Sequence, residues 1–370
     1  MEVQELDSEV QELDSVRSSS TARRMPRIPA TMKNHEELRQ ITMAQAQGAA
    51  ALNLAFIGVA NGLFVALAME PAAPLELASR LSLDAGYVLR WCEAAYAFGF
   101  LDHTEGRFEM TALGRAYLPD VEGTLMPFAV QSVLGAHMAE RATALMRTGE
   151  RPGDSVLAER ATVLPWFGPM LEATFGGLFE REVLPGVPAF AEVAARGGVA
   201  LDLGCGNGWY LRRLAARFPG LRGIGLDGFE ENVRQATEQS LREGLGERLS
   251  FQTGDIYAHA PLEPVSLVAM NRALHHVWDQ RERVFHSLHD ALLPGGVAVI
   301  WEPAWPDDLA SLREPRARGL AVQNLSEYVQ GNHFLRPVEI EAAFAEVGMR
   351  AQTFRFGAGL EAVVVATRLS

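Results

Sequence analysis

The amino-acid sequence predicts an α/β protein: a doubly wound, mostly parallel sheet preceded by a helical domain. Three observations carry this expectation. From Gly197 onward, short apolar runs alternate with helical patterns to the end of the chain. The first run, Val199–Leu203, leads into Gly204, Gly206 and Gly208 and then a helical pattern with Tyr210, Leu211, Leu214, Ala215 and Phe218. Each later run in the series closes on a polar residue, at the strand ends where such sheets hold their ligands.

The 370 residues, 48 % of them apolar, suffice for two domains and a core without disulfides. The net charge of −13 and the pI of about 5.2 argue against nucleic acid or an anionic membrane as the partner, because both call for a basic face. Cys92 and Cys205 stand in apolar segments, which fits a reducing compartment. The acidic start has no basic-then-apolar leader, so the expected location is cytoplasmic.

Residues 1–35 read as a tail. Glu-Val-Gln-Glu-Leu-Asp-Ser occurs twice in succession, with Val3, Leu6, Val10 and Leu13 at heptad spacing, short of the length a coiled coil needs. Residues 18–29 read as a polar, proline-containing linker.

Residues 36–120 form the first expected domain. Ile41–Met69 carries no charge, but Asn53, Gly58, Asn61 and Gly62 interrupt it. It reads as two helices of a subunit interface rather than a membrane span. Leu75–Leu81 and Asp84–Phe98 are helices, the second with Val88, Leu89, Cys92, Ala95 and Tyr96 on its apolar side and Gly99 as its stop. A hairpin turns at Glu105-Gly106, and Thr111 caps a last helix to Tyr117. Helix, helix, hairpin is a winged-helix order. The would-be recognition helix carries Arg90 as its only basic residue, beside Asp84 and Glu93, so the segment is expected to dimerise rather than to bind DNA.

Residues 121–195 read as a helical connector rich in large apolar side chains. Trp166, Phe167, Met170, Phe175 and Phe179 are either core or the lining of a small-molecule substrate pocket between domains.

Residues 196–370 supply the sheet. After the glycine loop, Gly223–Leu226 closes at Asp227, Leu249–Gln252 at Gly254-Asp255, Val265–Met270 at Asn271 and Val297–Trp301 at Glu302. Helices are expected at 230–244, 279–293 (with Asp279 and Glu282 as a capping box) and 337–347, and closing strands near 350–356 and 361–367.

The strand-end acids have a chemistry in common. Asp227 is placed to accept both hydroxyls of a ribose, and Asp255 to accept from an adenine amine with Ile256 against the ring. A pyrophosphate-binding turn reads Gly-x-Gly-x-x-Gly; here it reads Gly-x-Gly-x-Gly with Asp202 just before it. That acid repels a pyrophosphate and suits a cationic amino-acid head. Asp202-Leu203-Gly204-Cys205-Gly206-Asn207-Gly208, Gly225-Leu226-Asp227, Gly254-Asp255-Ile256 and Leu293-Pro294-Gly295-Gly296 together resemble the motifs of class I S-adenosylmethionine-dependent methyltransferases. The resemblance implies a Rossmann-like catalytic domain binding S-adenosyl-L-methionine through Asp202, Gly204, Gly206, Asn207, Gly208, Asp227, Gly254, Asp255, Ile256 and Asn271.

In the first domain, Gly62-Leu63-Phe64, Ala78-Ser79-Arg80-Leu81, Gly99-Phe100-Leu101 and Met110-Thr111-Ala112-Leu113-Gly114 are similar to the winged-helix dimerisation domain of small-molecule O-methyltransferases. This implies a homodimer paired through that domain, acting on a natural-product acceptor such as those of antibiotic biosynthesis. The family's general base is the histidine of a Leu-His-Asp-Trp segment; here the segment reads Leu274-His275-His276-Val277-Trp278-Asp279. His275 matches the base, and His276 replaces the aspartate. A related branch, the 2-oxo-acid C-methyltransferases, binds iron or zinc near this pair with a later histidine, which His333 resembles. The alternative is therefore a metal-assisted carbon transfer using His275, His276 and His333, with Glu302 or Asp307. The remaining histidines, His35, His103, His137, His259, His286 and His289, read as ordinary surface or helix residues.

Overall fold

A computed structural model describes residues 34–153, 155–257 and 263–369. The duplicated heptad, the linker and His259 lie outside them. Asn34 and Glu37 cap each other's backbone: Asn34 Oδ1 accepts from Glu37 N at 2.9 Å, and Glu37 Oε2 accepts from Asn34 N at 3.1 Å. This starts α1, His35–Ala60, which by length and composition alone could cross a membrane. Ala49–Ser370 form one compact unit, which holds the elements that follow.

Gly62, at φ 68°, separates α1 from α2, Leu63–Met69. Next come α3, Pro74–Leu81, and α4, Ala85–Ala97, which Asp84 caps by accepting from Tyr87 N. The hairpin pairs β1, Leu101–Thr104, with β2, Arg107–Met110. Both turn residues, Glu105 and Gly106, have positive φ, the backbone that matches the twist of paired strands. Thr111 Oγ1 then accepts from Gly114 N at 3.1 Å, as a cap should. One expectation fails on α4: Tyr96 is exposed, and Trp91 is buried instead, donating to Leu54 O. Val88, Trp91, Cys92 and Ala95 follow the three- and four-residue steps of one helix face, which excludes Tyr96.

The connector supplies α5, Met126–Leu145, α6, Phe167–Leu178, a π-helical turn at Phe179–Val183, and α7, Ala189–Ala195. The sheet follows as β3 (Val199–Leu203), α8 (Trp209–Arg217), β4 (Arg222–Asp227), α9 (Glu230–Arg242), β5 (Leu249–Thr253) and β6 (Val265–Asn271). It continues as α10 (Arg281–Ala291), β7 (Leu292–Pro303), α11 (Arg318–Val329), α12 (Pro337–Glu346), β8 (Arg350–Phe356) and β9 (Glu361–Thr367). The order is β5-β4-β3-β6-β7-β9-β8. β5 to β7 are parallel, and β9 runs antiparallel between β7 and β8. The turn expected at Leu293–Gly296 is a bulge inside β7: pairing jumps from Val265–Leu292 to Leu267–Val297. The capping box expected at Asp279 does not form. Asp279 sits within a 3-10 turn, Leu274–Gln280, whose leading N–H groups are already satisfied by Glu302, so α10 starts only at Arg281.

For Phe179 the core alternative holds over the pocket-lining one. Its ring is fully buried, within 6 Å of the rings of Phe190, Trp209, Tyr210 and Trp301. It is core between the π turn and the sheet, and borders neither of the cavities at the strand ends. Phe179→Ala should therefore cost about 3–5 kcal/mol in urea unfolding, while the folded fraction keeps its ligand affinity. An unfolding midpoint unmoved by the substitution would contradict this packing.

Candidate active site

The glycine loop is fastened to the neighbouring strand. Gly204 N and Cys205 N donate to Leu226 O at 2.8 and 2.9 Å, and Gly206 N donates to Asp227 Oδ2 at 2.8 Å. Gly204 has φ 76°, and a Cβ there would lie 2.7 Å from that of Ala273, so both backbone and space demand glycine. The loop and the ends of β3 to β6 enclose a cavity of about 720 Å³. Asp202, Gly204, Gly206, Asn207, Asp227, Gly254, Asp255, Ile256 and Asn271 all border it. Gly208 does not; a Cβ there would strike the Phe251 ring at 2.6 Å, and the residue serves the packing of α8.

Two acceptors in the wall of this cavity have no donor among the described residues. Asp202 is 1 % exposed, and neither of its oxygens has a hydrogen-bond partner within the protein; Asn271 Oδ1 is likewise buried and unpartnered. Burial, and then the charge of Asp227, push Asp202 up to about 8. Asp227 itself is held by Phe229 N and Asn232 Nδ2, both donating to Oδ1 at 3.0 Å. Asp255 Oδ1 accepts from Tyr257 N at 2.9 Å.

A second cavity, of about 390 Å³, adjoins the first through Phe167, Leu171, Arg272, His276 and Gln330, which border both. Met170 and Phe175 line it as expected. Trp166 does not; it packs against the core of the first domain and borders a separate hollow with Pro165 and Pro169.

The family described as "Methyltransferase domain" matches residues 200–296. Those residues run from the glycine loop through His275 and His276. This chain is a class I S-adenosylmethionine-dependent methyltransferase. The methyltransferase is 26 % identical over 253 residues to an O-demethylpuromycin-O-methyltransferase of Streptomyces alboniger, a match spanning 66 % of this chain and 67 % of that one. It is 28 % identical over 257 residues to a 3-hydroxy-5-methyl-1-naphthoate 3-O-methyltransferase of Streptomyces sahachiroi, spanning 68 % and 73 %. Among solved structures, mitomycin 7-O-methyltransferase superposes with a TM-score of 0.66 at 20 % identity, covering 90 % of this chain and 98 % of that one. Human N-acetylserotonin methyltransferase superposes with a TM-score of 0.64 at 17 % identity, covering 92 % and 99 %. At these identities the structural likeness establishes the fold.

The residues of the larger cavity fit the cofactor. Asp202 and Asn271 would accept from its ammonium, and Asp227, Asp255 and Ile256, on the same wall, would serve its ribose and adenine.

Titratable side chains gather at the smaller cavity, His275, His276 and Glu327 among them. His275 is 4 % exposed. Its Nδ1 lies 2.7 Å from Glu302 Oε2, and Glu302 Oε1 accepts from the backbone N–H of Leu274 and His275 at 2.8 and 3.3 Å. Its Nε2 lies 3.6 Å from Glu327 Oε2. Burial alone would lower its proton affinity, but the charge and hydrogen bond of Glu302, reinforced by Glu327, outweigh it and push His275 up to about 10. His276 Nδ1 accepts from Asn332 Nδ2 at 2.8 Å. Arg272 stands at positive φ and lays its guanidinium over the Phe175 ring at 3.9 Å while pairing with buried Glu361. The sequence reading missed Glu327, Gln330 and Asn332. Their one signal is a polar spacing at the end of a helix, on either side of Gly331.

The metal set expected for carbon transfer is not gathered. His333 is exposed, and its charge acts on Glu339; Asp307 acts on Arg336. Backbone geometry explains this: Asn332 and Phe334 are buried, so His333 between them points outward. His275, His276 and Glu327 do bring ligand atoms within 4.8 Å of one another, but Nδ1 of each histidine is held by Glu302 or Asn332. The metal-assisted alternative is not favoured.

At pH 7 the Asp202 carboxyl, raised to about 8, is mostly protonated in the free enzyme. An ammonium beside it favours the carboxylate, so binding of S-adenosylhomocysteine should release close to one proton. Calorimetry in two buffers of different ionisation enthalpy measures this. Asp202→Asn should abolish the release; an unchanged release would remove Asp202 from the role.

Proposed function

We propose that the methyltransferase transfers a methyl group to the oxygen of a small, mostly apolar, natural-product-type acceptor, with His275 as general base. The observation that carries this is the place of His275: buried between Glu302 and Glu327, in the wall of an apolar cavity that opens onto the cofactor cavity. The named O-methyltransferase relatives act on puromycin and naphthoate precursors, which supports the acceptor class.

S-adenosylmethionine supplies, when bound, a methyl group on a good sulfonium leaving group. The protein's part is to place the acceptor hydroxyl and remove its proton. With Nδ1–H donated to Glu302, the imidazole offers Nε2 to that proton. The resulting imidazolium is held between two carboxylates. A phenol has an ordinary value near 10, so the hydroxyl and the raised His275 are matched, and the proton passes between them at little cost.

We infer also that subunits pair through the first domain. Exposed Ile57, Val65 and Met69 on α1 and α2 support this. Arg90 on α4 is paired with Glu93, which fits the dimerisation role. Sedimentation at micromolar concentration should give a dimer; a monomer would remove this part of the reading.

His275→Ala should lose turnover while S-adenosylhomocysteine binding survives. The free enzyme carries a proton on His275 below about 10. Against a phenolic acceptor kcat/KM should therefore rise about tenfold per pH unit from neutrality towards that value. Glu302→Gln removes the main interaction raising His275, so the rise should move to lower pH and level off at a smaller maximum. A flat profile, or full activity in His275→Ala, would defeat the general-base role.

A further inference from the structure

The end of α11 places a buried amide between the two cavities. Gln330 is 7 % exposed and borders both of them. Its Nε2 donates to Glu327 Oε2 at 3.1 Å, the same oxygen that lies 3.6 Å from His275 Nε2. Its Oε1 is buried with no hydrogen-bond partner among the described residues. The amide cannot be turned round to relieve this, because its oxygen would then face the carboxylate of Glu327. The orientation is therefore set by the carboxylate, and an acceptor lone pair is left without a donor.

From this we propose that Gln330 is a specificity-determining residue: its carbonyl receives a second hydrogen-bond donor, a hydroxyl or N–H carried on the acceptor beside the hydroxyl that His275 deprotonates. The inference rests on the O-methyltransferase reading above and narrows its substrate class to vicinal hydroxyl or amino-hydroxyl compounds. Three features assign the missing donor to the acceptor rather than to the cofactor. Glu327 and His275, which Gln330 is tied to, border the smaller cavity only. The cofactor's ammonium already has Asp202 and Asn271 to satisfy. The donors that line the smaller cavity, Arg272, Gln323 and Ser326 among them, make no hydrogen bond to this oxygen, and Met170, Phe175 and Phe334 have none to offer. A buried carbonyl without a partner is costly, so an acceptor that satisfies it is preferred over one that cannot.

The test uses the full-length enzyme saturated with S-adenosylhomocysteine and two planar probes, 2,3-dihydroxynaphthalene and 2-naphthol, which differ in the second hydroxyl alone. Calorimetry should show the diol bound about tenfold to a hundredfold more tightly. In Gln330→Met, of similar length but without the carbonyl, that preference should vanish. Affinity for 2-naphthol and for S-adenosylhomocysteine should stay within about twofold of wild type. If Gln330 merely props Glu327, both naphthols would weaken together, and the proposal falls. It falls equally if wild type binds the two alike, if it binds neither, or if the variant keeps the preference and loses S-adenosylhomocysteine instead. The wild-type comparison stands even if Gln330→Met does not fold. Failure of wild type to bind S-adenosylhomocysteine would overturn the methyltransferase reading itself, a result distinct from any of these.

Discussion

The carboxylate of Glu302 is the interaction on which the reactive centre depends. It is 1 % exposed at the end of β7, and a bare charge there would be very costly. It is matched three times, by the N–H groups of Leu274 and His275 and by the His275 ring. Two of those bonds wind the chain after β6 into a 3-10 turn, and the third fixes which imidazole nitrogen faces the cavity. One carboxylate thus shapes the backbone, chooses the orientation of His275 and raises its proton affinity. Glu302→Gln keeps the shape and an acceptor for the Leu274 and His275 N–H groups but loses the charge, which is why that substitution should change the chemistry more than the fold.

The same constraint is solved differently at Asp202. There the buried carboxylate has no internal donor, and the free protein accommodates it by raising its proton affinity. Parallel topology explains why the two cases lie close together. β3, β4, β6 and β7 run in one direction, so Asp202, Asp227, Asn271 and Glu302 all emerge at the same edge of the sheet. One group of acids is satisfied by the chain itself and positions a base; the other waits for a cationic ligand.

This edge was legible in the sequence because strand-end polar residues after apolar runs have a fixed meaning in a doubly wound sheet. The glycine spacing and Asp202 pointed to the cofactor, and nine of the ten residues expected to hold it do border one cavity. What sequence could not supply was the direction of side chains outside regular alternation. Phe179 reads like Phe175 in an aromatic-rich helix, but the π turn rotates it into the core. His333 stands in the right segment for a ligand and points outward between two buried neighbours. Glu327 and Gln330 belong to a helix whose sequence does not reveal that its end faces a histidine some fifty residues earlier, since only the tertiary fold brings α11 over the end of β6.

The two cavities also share a wall that ties cofactor and acceptor together. α6 turns Phe167, Met170 and Phe175 towards the smaller cavity, and presents Gly168 and Glu172 to the glycine loop. Gly168 lies so close to Asn207 that a Cβ would approach its side chain to 2.8 Å. Glu172 accepts from Asn207 Nδ2 at 3.3 Å and from the buried guanidinium of Arg212 at 2.7 Å. Breaking one partner of such a buried pair leaves an uncompensated charge, so the helix is held firmly to the loop. The glycine loop and the helix that lines the smaller cavity are therefore tied to each other directly. Asn207, Arg212 and Glu172 thus join the walls of the two cavities, although only Asn207 borders the larger one and none the smaller.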